Sequence, residues 1–458
     1  MLLSTSIAAM RQPVSDGVTR PRSWRIEQLK RLEDAIAERR DAVLTALASD
    51  LGKPAVEAYF ELVAIQREIQ LVRSRLSRWM APRAVGLPVF LQPGRAEVLR
   101  EPLGCVLVIG PWNYPFLLSL QPLVSALAAG NTVVLKPSEH APATSSLIAE
   151  LIQAAFPSTT VQVVLGDGPV AQALLRERFD HIFFTGGERV GRLVMEAAAQ
   201  HLTPVTLELG GKSPAVVLSD ADLDVSARRL IWGKCLNAGQ TCIAPDYLLV
   251  DEAVEAPLVE LLSQRITHCF GSDPLASSDL GSLVNQAQFE RLHALMEGAR
   301  SRGQVLYGGQ SDPSRRRIAP TLIQVDSFDD PLMQEELFGP LLPVLRVSGL
   351  SDAIERINQR PKPLALYLFT KQREAQEQIL QRTSSGGVCI NDVVMQVSVP
   401  ELPFGGVGNS GMGSYHGEAG FRTFSHERSV LRRPFRLDLP FRYPPYAGKL
   451  PLVRRLLG

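Results

Sequence analysis

Apolar residues recur at helical spacing over the first part of the chain, to about residue 78. A spacing of three or four residues predicts amphipathic helices, and here it involves Ile26, Leu29, Leu32, Ile36, Val43, Leu44 and Leu47. The segment 87–100 has two short strand-like runs on either side of a Pro-Gly pair. That pattern is typical of a β-hairpin.

From residue 105 the pattern changes to short apolar runs that alternate with helical stretches. The predicted strands are 105–110, 132–136, 161–165, 181–185 and 204–208, and the predicted helices lie near 120–129, 143–155, 170–176 and 190–198. Such alternation is typical of a parallel sheet covered by helices on both faces. A second alternating block, from about 210 to 391, has strand-like runs at 247–250, 344–347 and 364–369. The predicted fold class is therefore α/β, and we expect the Arg- and Pro-rich stretch from 431 to be extended.

Composition excludes several classes of protein. The 458 residues include 48 basic and 47 acidic ones, a net charge of +1, so the basic surface of a nucleic-acid-binding protein is not expected. The five cysteines are odd in number and form no Cys-x-x-Cys pair, which argues against a disulfide framework or a metal site. Without a positively charged leader or an apolar run of about 20 residues, we expect a cytoplasmic protein.

Two segments contain side chains suited to covalent and acid–base chemistry. Cys242 lies in Gly-Gln-Thr-Cys-Ile-Ala-Pro-Asp, whose small and polar residues favour a loop. A loop cysteine is a candidate nucleophile, although free cysteines are more often buried and inert. Glu208 ends a predicted strand just before two glycines. It is either a general base that activates water or a surface carboxylate at a turn.

Three further loops follow predicted strands, where α/β proteins bind ligands. Asn113, in Gly-Pro-Trp-Asn-Tyr-Pro-Phe, either donates to a developing oxyanion or bonds its own turn. Lys136 and Glu139 either contact the ribose of a dinucleotide or are solvated charges. The segment Thr-Gly-Gly-Glu-Arg-Val-Gly at 185–191 either receives a phosphate on its N–H groups or forms an ordinary strand-to-helix turn. No Gly-x-Gly-x-x-Gly fingerprint is present.

In their order and spacing these segments together resemble the aldehyde dehydrogenase superfamily. Glu-Glu-Leu-Phe-Gly-Pro at 335–340 and Leu-Pro-Phe-Gly-Gly-Val-Gly-Asn-Ser-Gly at 402–411 strengthen the resemblance, which covers nearly the whole chain to about residue 429. The segments 201–214, 240–247 and 406–417 are most similar to the class 3 branch, which includes fatty and aromatic aldehyde dehydrogenases.

The resemblance implies oxidation of an aldehyde to a carboxylic acid with NAD(P)⁺. Cys242 would form a thiohemiacetal and then a thioester, Asn113 would hold the oxyanion, and Glu208 would activate the hydrolytic water. In this scheme Glu336 holds the nicotinamide ribose and Phe338 packs near the nicotinamide. The residues expected to bind the cofactor are Trp112, Lys136, Glu139, Gly186, Gly187, Gly191, Glu336 and Phe338.

Finer expectations follow from the same resemblance. The Glu139 carboxylate should repel a 2′-phosphate, so NAD is favoured, although NADP is also accepted by class 3 members. Gly187 stands where many members have Ser or Thr, so a backbone contact to phosphate is retained and a side-chain one is lost. The expected substrate is a medium- or long-chain aliphatic, aromatic or apocarotenal-type aldehyde. One alternative is a coenzyme A-acylating enzyme, against which Glu208 argues; the other is a non-catalytic binding protein.

The implied architecture has two doubly wound parallel-sheet domains and a small β bridging element. The dinucleotide-binding domain would comprise 1–83 and 102–207, the catalytic domain 208–391, and the bridging and oligomerising element 84–101 and 392–430. A homodimer is expected. The tail, 431–458, mixes apolar and basic residues, which suits peripheral contact with a membrane surface, but we favour a tail that is docked on the protein or frayed.

Overall fold

The computed structural model describes residues 2–436 and 438–457. Its α-helices are α1 Leu2–Ser15, α2 Arg22–Glu38, α3 Arg40–Leu51, α4 Ala55–Met80, α5 Leu117–Ala129, α6 Pro142–Ala155, α7 Gly168–Leu175, α8 Glu188–Ala199, α9 Leu223–Cys235, α10 Glu255–Phe270, α11 Gln286–Ser301, α12 Leu350–Asn358, α13 Arg373–Arg382, α14 Gly417–Thr423 and α15 Leu450–Leu457. Short 3₁₀ helices lie at Val89–Leu91, Leu236–Gly239, Pro274–Ala276, Pro331–Met333, Met395–Ser398, Gly408–Ser410 and Pro440–Arg442.

The strands form four sheets. They are β1 Arg83–Val85, β2 Arg95–Pro102, β3 Cys105–Ile109, β4 Thr132–Lys136, β5 Val161–Val163, β6 His181–Thr185, β7 Val205–Glu208, β8 Pro214–Val217, β9 Tyr247–Asp251, β10 Val305–Tyr307, β11 Ser311–Asp312, β12 Arg317–Ile318, β13 Thr321–Gln324, β14 Leu341–Val347, β15 Ala365–Phe369, β16 Gly387–Ile390, β17 Gly411–Met412 and β18 Ser425–Arg432.

The first large sheet has the order β17-β7-β6-β3-β4-β5, and all its neighbours are parallel except β17 against β7. The five apolar runs of the sequence are thus confirmed as strands, and they are mainly buried except for β5 at the edge of the sheet, which is shorter than predicted and largely half-buried. In β3 the alternate residues Val106 and Val108 pack with helices α2 to α6, whereas Cys105, Leu107 and Ile109 pack with α1, α7 and α8 on the other face. Because both faces are covered, every β3 residue is buried. The strand order reverses at β3 and β6, the place where sheets of this kind bind ligands.

The second large sheet has the order β10-β13-β14-β9-β8-β15-β16, parallel except for β10. Helices α9 and α10 contribute to the apolar cluster on one face, and α11, α12 and α13 to the cluster on the other. The chain passes from the first sheet to the second between Glu208, the last residue of β7, and Pro214, the first of β8. These five intervening residues therefore lie between the two sheets along the chain.

A hairpin is present, but the prediction of its first strand is wrong. Arg83–Val85 pairs with β2, and β18 pairs with the other edge of β2 over eight residues. The run at 87–91 instead contains the 3₁₀ turn Val89–Leu91. Pro88 precedes this turn, and a proline has a fixed φ and no N–H to donate to a ladder.

The carboxyl-terminal stretch is not extended throughout, contrary to the prediction. After β18 it ends in the helix α15, whose hydrophobic residues Leu450 and Leu452 are exposed. The many prolines of this stretch favour extended structure, so the sequence pattern did not reveal the two-turn helix α15. The segment 392–430 also divides: β17 joins the first large sheet and α14 packs on α5, while β18 joins the three-stranded sheet.

Candidate active site

Loops that follow β3, β6 and β7 border a cavity of about 1330 Å³. Residues of the second large sheet's loops complete its wall. Eight of the residues predicted from the sequence line this cavity: Trp112, Asn113, Gly186, Gly187, Glu208, Cys242, Glu336 and Phe338. The structure thus brings the candidate nucleophile, base and oxyanion donor to one space.

Cys242 lies in the loop between α9 and β9, and its side chain is half-buried. The loop is shaped by a left-handed turn at Asn237, Ala238 and Gly239, with φ values of 54°, 53° and 78°. A side chain at Gly239 would stand 2.2 Å from the backbone oxygen of Gly339, so this position requires glycine. Burial raises the pKa of the Cys242 thiol, and the nearby carboxylates Glu336 and Glu208 raise it further.

A buried polar network holds Asn113 against the cysteine loop. The Asn113 amide donates to the carbonyl of Gln240 at 3.1 Å. The Asn113 carbonyl accepts from the Asn237 amide at 2.8 Å and from the Lys53 ammonium at 2.9 Å. Lys53 is in turn paired with Glu61, and both side chains are fully buried. The network fixes the distance between the loop after β3 and the loop that presents Cys242.

Glu208 is placed by backbone pairing on both sides. Its strand neighbours are Thr185 in β6 and Gly411 in β17, and its carbonyl accepts from Gly186 N at 3.0 Å. The side chain is buried, and neither carboxyl oxygen has a hydrogen-bond partner among the described residues. Burial raises the Glu208 pKa well above its usual value. An unbonded buried carboxyl group is uncommon in structural positions and calls for a functional explanation.

Glu336 reaches across to the segment that links the two large sheets. A Cβ at Gly210 would lie 2.0 Å from Glu336 Oε2, so the carboxyl group occupies the space that a side chain there would need. Burial, followed by the charge of Asp246, raises the Glu336 pKa to about 8. Phe338 meets Trp112 edge to face at 5.2 Å between ring centroids, and together they border the same part of the cavity.

Comparison with known proteins identifies the family. The model of the aldehyde dehydrogenase family matches residues 6–430. The chain belongs to the aldehyde dehydrogenase family. It is an oxidoreductase that converts aldehydes to carboxylic acids with NAD(P)⁺, and its relatives include members of family 3.

Two relatives and one solved structure show how far the similarity extends. This aldehyde dehydrogenase is 43% identical over 457 residues to aldehyde dehydrogenase family 3 member H1 of Arabidopsis thaliana, covering 99% of this chain and 94% of that one. It is 46% identical over 452 residues to the dimeric NADP-preferring aldehyde dehydrogenase of Canis lupus familiaris, covering 98% and 99%. The substrate-bound state of Staphylococcus aureus AldH superposes with a TM-score of 0.96 at 41% identity, covering 100% and 99%.

Three predicted cofactor residues of the aldehyde dehydrogenase lie outside the cavity wall. Lys136 and Glu139 form an ion pair at 3.1 Å. Burial raises the Glu139 pKa, but backbone and Lys136 hydrogen bonds outweigh burial and lower it overall. Gly191 N donates to Gly187 O inside α8, so this N–H does not serve a phosphate. Its missing side chain instead lets α8 approach Leu209, whose Cδ2 would lie 2.8 Å from a Cβ.

The residues present fit a dinucleotide. No atom lies within 4 Å of a Cβ built on Gly187, and the next residues begin α8, where the first N–H groups have no partner within the helix. Such a helix start receives phosphate readily. Glu336, Phe338 and Trp112 border the cavity alongside it. Among the residues of 2–436 and 438–457, no group of three or more His, Cys, Asp and Glu is arranged to hold a metal ion.

The sequence did not predict the residues that hold the segment around Glu336 in place. Lys212 is paired with Asp246 and donates to the carbonyls of Leu332 and Glu335 at 2.9 and 3.0 Å. Asp246 also accepts from Leu337 N at 3.0 Å. Lys212 and Asp246 lie within the motifs already recognised, but nothing in a single sequence shows that they contact each other. Lys53 lies in no motif at all.

No helix in the part of the chain that the structure describes is both long and apolar enough to cross a membrane.

Proposed function

We propose that Cys242, Glu208 and Asn113 carry out the oxidation of apolar aldehydes in this enzyme. The observation that supports the proposal is the convergence of thiol, carboxyl group and amide on one cavity. A thiol, a water-activating carboxylate and an amide donor are the parts needed to form and hydrolyse a thioester.

Each of these three groups has a defined role in the reaction. The Cys242 thiolate attacks the carbonyl carbon and forms a C–S bond, while the Asn113 amide and the Cys242 N–H stabilise the oxyanion. NAD(P)⁺, when bound, supplies the acceptor for the hydride that leaves this carbon, and a thioester remains. Glu208 then takes a proton from water, which attacks the thioester. The C–S bond breaks, the acid leaves, and the thiolate is restored.

The electrostatics of the site suit this order of events. The Cys242 thiol has a raised pKa, because it is buried and faces the carboxylates Glu336 and Glu208. A positive charge in the cavity would oppose both effects and favour the thiolate.

The remaining wall of the cavity favours an apolar substrate. It includes the aromatic residues Tyr59, Phe60 and Trp232 and the aliphatic residues Val63 and Met395. Tyr59, Phe60 and Met395 are 41%, 46% and 43% exposed, which is unusual for such side chains and typical of a ligand-binding mouth. Medium- or long-chain aliphatic, aromatic and apocarotenal-type aldehydes have the chemistry to fill such a space.

The activity is tested by NADH absorbance with hexanal, decanal and benzaldehyde, with and without coenzyme A. We expect NADH and free acid from at least one of these aldehydes, at a rate that coenzyme A does not change. Acyl-coenzyme A as the product would instead support the acylating alternative, against which Glu208 argues because hydrolysis needs a water-activating base. The absence of NADH with every aldehyde would refute the proposed substrate class.

We propose NAD⁺ as the preferred cofactor and a homodimer as the assembly. The charge of Glu139 supports the first point, because a carboxylate repels a 2′-phosphate; the Canis relative, however, is named as NADP-preferring. Equal kcat/KM with the two cofactors would contradict the preference. The name of the same relative, as a dimeric enzyme, supports the second point. The mass in solution, measured by light scattering, tests it.

A further inference from the structure

Two polar side chains interrupt the apolar part of the cavity wall. Gln121, on α5, and His416, just before α14, are each 5% exposed, and both line the cavity. Among the described residues no hydrogen bond reaches a His416 ring nitrogen, and the polar partner of the Gln121 amide is the Glu68 carboxyl. Side-chain groups this deeply buried normally have partners.

Glu68 on α4 links the positions of the two residues, because it contacts the Gln121 side chain and the backbone of Gly417, the residue after His416. The Glu68 carboxyl accepts from Gly417 N at 2.8 Å, which anchors the turn that carries His416. Gln121 lies beside the same carboxyl and helps it hold a negative charge, although burial raises the Glu68 pKa to about 7. A side chain at Gly417, where φ is 50°, would stand 2.6 Å from Pro400 O. Glycine at position 417 therefore permits this turn to approach the Pro400 carbonyl closely.

The orientation of His416 is fixed by aromatic packing. Its ring stacks on Phe404 at 5.3 Å between centroids and meets Tyr415 edge to face at 4.5 Å. Burial lowers the His416 pKa to about 4, so the ring is neutral in physiological conditions. A neutral imidazole has one donor and one acceptor nitrogen, and a glutamine amide likewise offers both functions.

We propose that Gln121 and His416 form a hydrogen-bonding subsite for a hydroxyl or keto oxygen carried on the substrate chain, away from the aldehyde carbonyl. The inference rests on the proposed function and narrows its substrate class to oxygenated apolar aldehydes. A hydroxyl group complements the pair best, because it donates and accepts at once. Glu68 is a positioning residue in this scheme, since it acts only through its two neighbours.

A purely apolar substrate that displaced water from this wall would leave the His416 ring without a polar partner and the Gln121 amide with Glu68 alone. A site built to bond a substrate oxygen discriminates against the analogue that lacks it for this reason. The neighbouring lining residues Val63, Leu118 and Phe404 cannot replace the lost hydrogen bonds. The subsite should therefore appear as a preference between matched substrates.

The test compares decanal with a set of hydroxydecanals whose hydroxyl group is placed at positions from the middle of the chain to the methyl end. Isomers with the hydroxyl closer to the carbonyl are left out because they cyclise. For the wild type we expect kcat/KM to be about five- to tenfold higher for the best isomer than for decanal, the effect of roughly one neutral hydrogen bond. In Gln121→Met and in His416→Phe this ratio should fall to about one.

A matched control separates the subsite from a general effect of the substitution. Gln70→Met makes the same change on the exposed side of α4 and should retain the wild-type ratio. The Gln121 variant alone suffices if His416→Phe does not fold. A wild-type ratio near one with every isomer, or an undiminished ratio in Gln121→Met, would overturn the proposal. If no aldehyde yields NADH, it is the proposed substrate class that fails.

Discussion

The substitution Gly210→Ala isolates the contribution of Glu336. The new Cβ would lie 2.0 Å from Glu336 Oε2 and 2.7 Å from the carboxyl carbon, so the carboxyl group has to leave its place. The fold should tolerate the change, because the obstructing atoms end a flexible side chain and Gly210 is not among the glycines with a positive φ. The substitution thus displaces the Glu336 carboxyl group, the proposed ribose contact, while Glu336 itself is unchanged.

The size of the effect follows from the bond that is lost. A hydrogen bond to a charged group contributes about 1.5–3 kcal/mol, and each 1.4 kcal/mol is a tenfold change. The KM and Kd for the cofactor should therefore rise roughly 10- to 150-fold. The assay is run at about pH 9, above the Glu336 pKa of about 8, so that the carboxyl group is charged.

The control is Gly168→Ala in the first turn of α7, where a Cβ meets no atom within 4 Å. Its cofactor constants should match those of the wild type, and thermal unfolding should show that both variants are folded. If Gly210→Ala bound the cofactor within twofold of the wild type, Glu336 would not be the ribose contact.

Three further predictions concern the nucleophile and its support. Asn113→Ala should remain folded and lose about 10²–10³ in kcat, the usual effect of one missing oxyanion donor; a wild-type kcat would count against that role. Alkylation of Cys242 by iodoacetamide in the free enzyme should accelerate as pH rises, because the thiolate reacts. In Glu336→Gln the curve should shift to lower pH, since one cause of the raised thiol pKa is removed; an unchanged curve would contradict this. Lys53→Met should lower the free energy of unfolding by about 3–5 kcal/mol, because the buried Glu61 charge loses its partner. Urea denaturation measures this, and adding Glu61→Gln should restore part of the loss.

The sequence was sufficient to predict the five parallel strands of the first large sheet, β3 to β7, because strands covered on both faces are continuous apolar runs; the short antiparallel β17 was not predicted. It also selected Cys242 and Glu208, which the structure places in one cavity; their catalytic roles come from the family resemblance and stay predictions. It did not identify α15, where prolines obscured the helical spacing. Nor did it identify the pairing of Lys53 with Glu61, because ion pairs between different elements depend on packing that no local pattern records.

For the same reason, the sequence did not predict that Gln121 and His416 line one cavity. Gln121 belongs to an apolar helix in which a single polar residue suggests nothing in particular. His416 lies in the segment 406–417, whose sequence pattern does not reveal that the ring stacks on Phe404. Their common neighbour Glu68 lies 53 positions before Gln121 along the chain, so only the folded structure shows that both side chains line the same cavity.

The pairing of β17 with β7 has a consequence for how the enzyme is made. The strand that closes the sheet beside Glu208, together with the wall residues Phe404 and His416, follows Cys242 by more than 150 positions along the chain. A growing or prematurely terminated polypeptide therefore carries the reactive thiol long before it has a chamber to shelter it. We expect turnover only after this later segment has been translated and folded, so that chains that stop short of Met412 are inactive but still open to oxidation at Cys242.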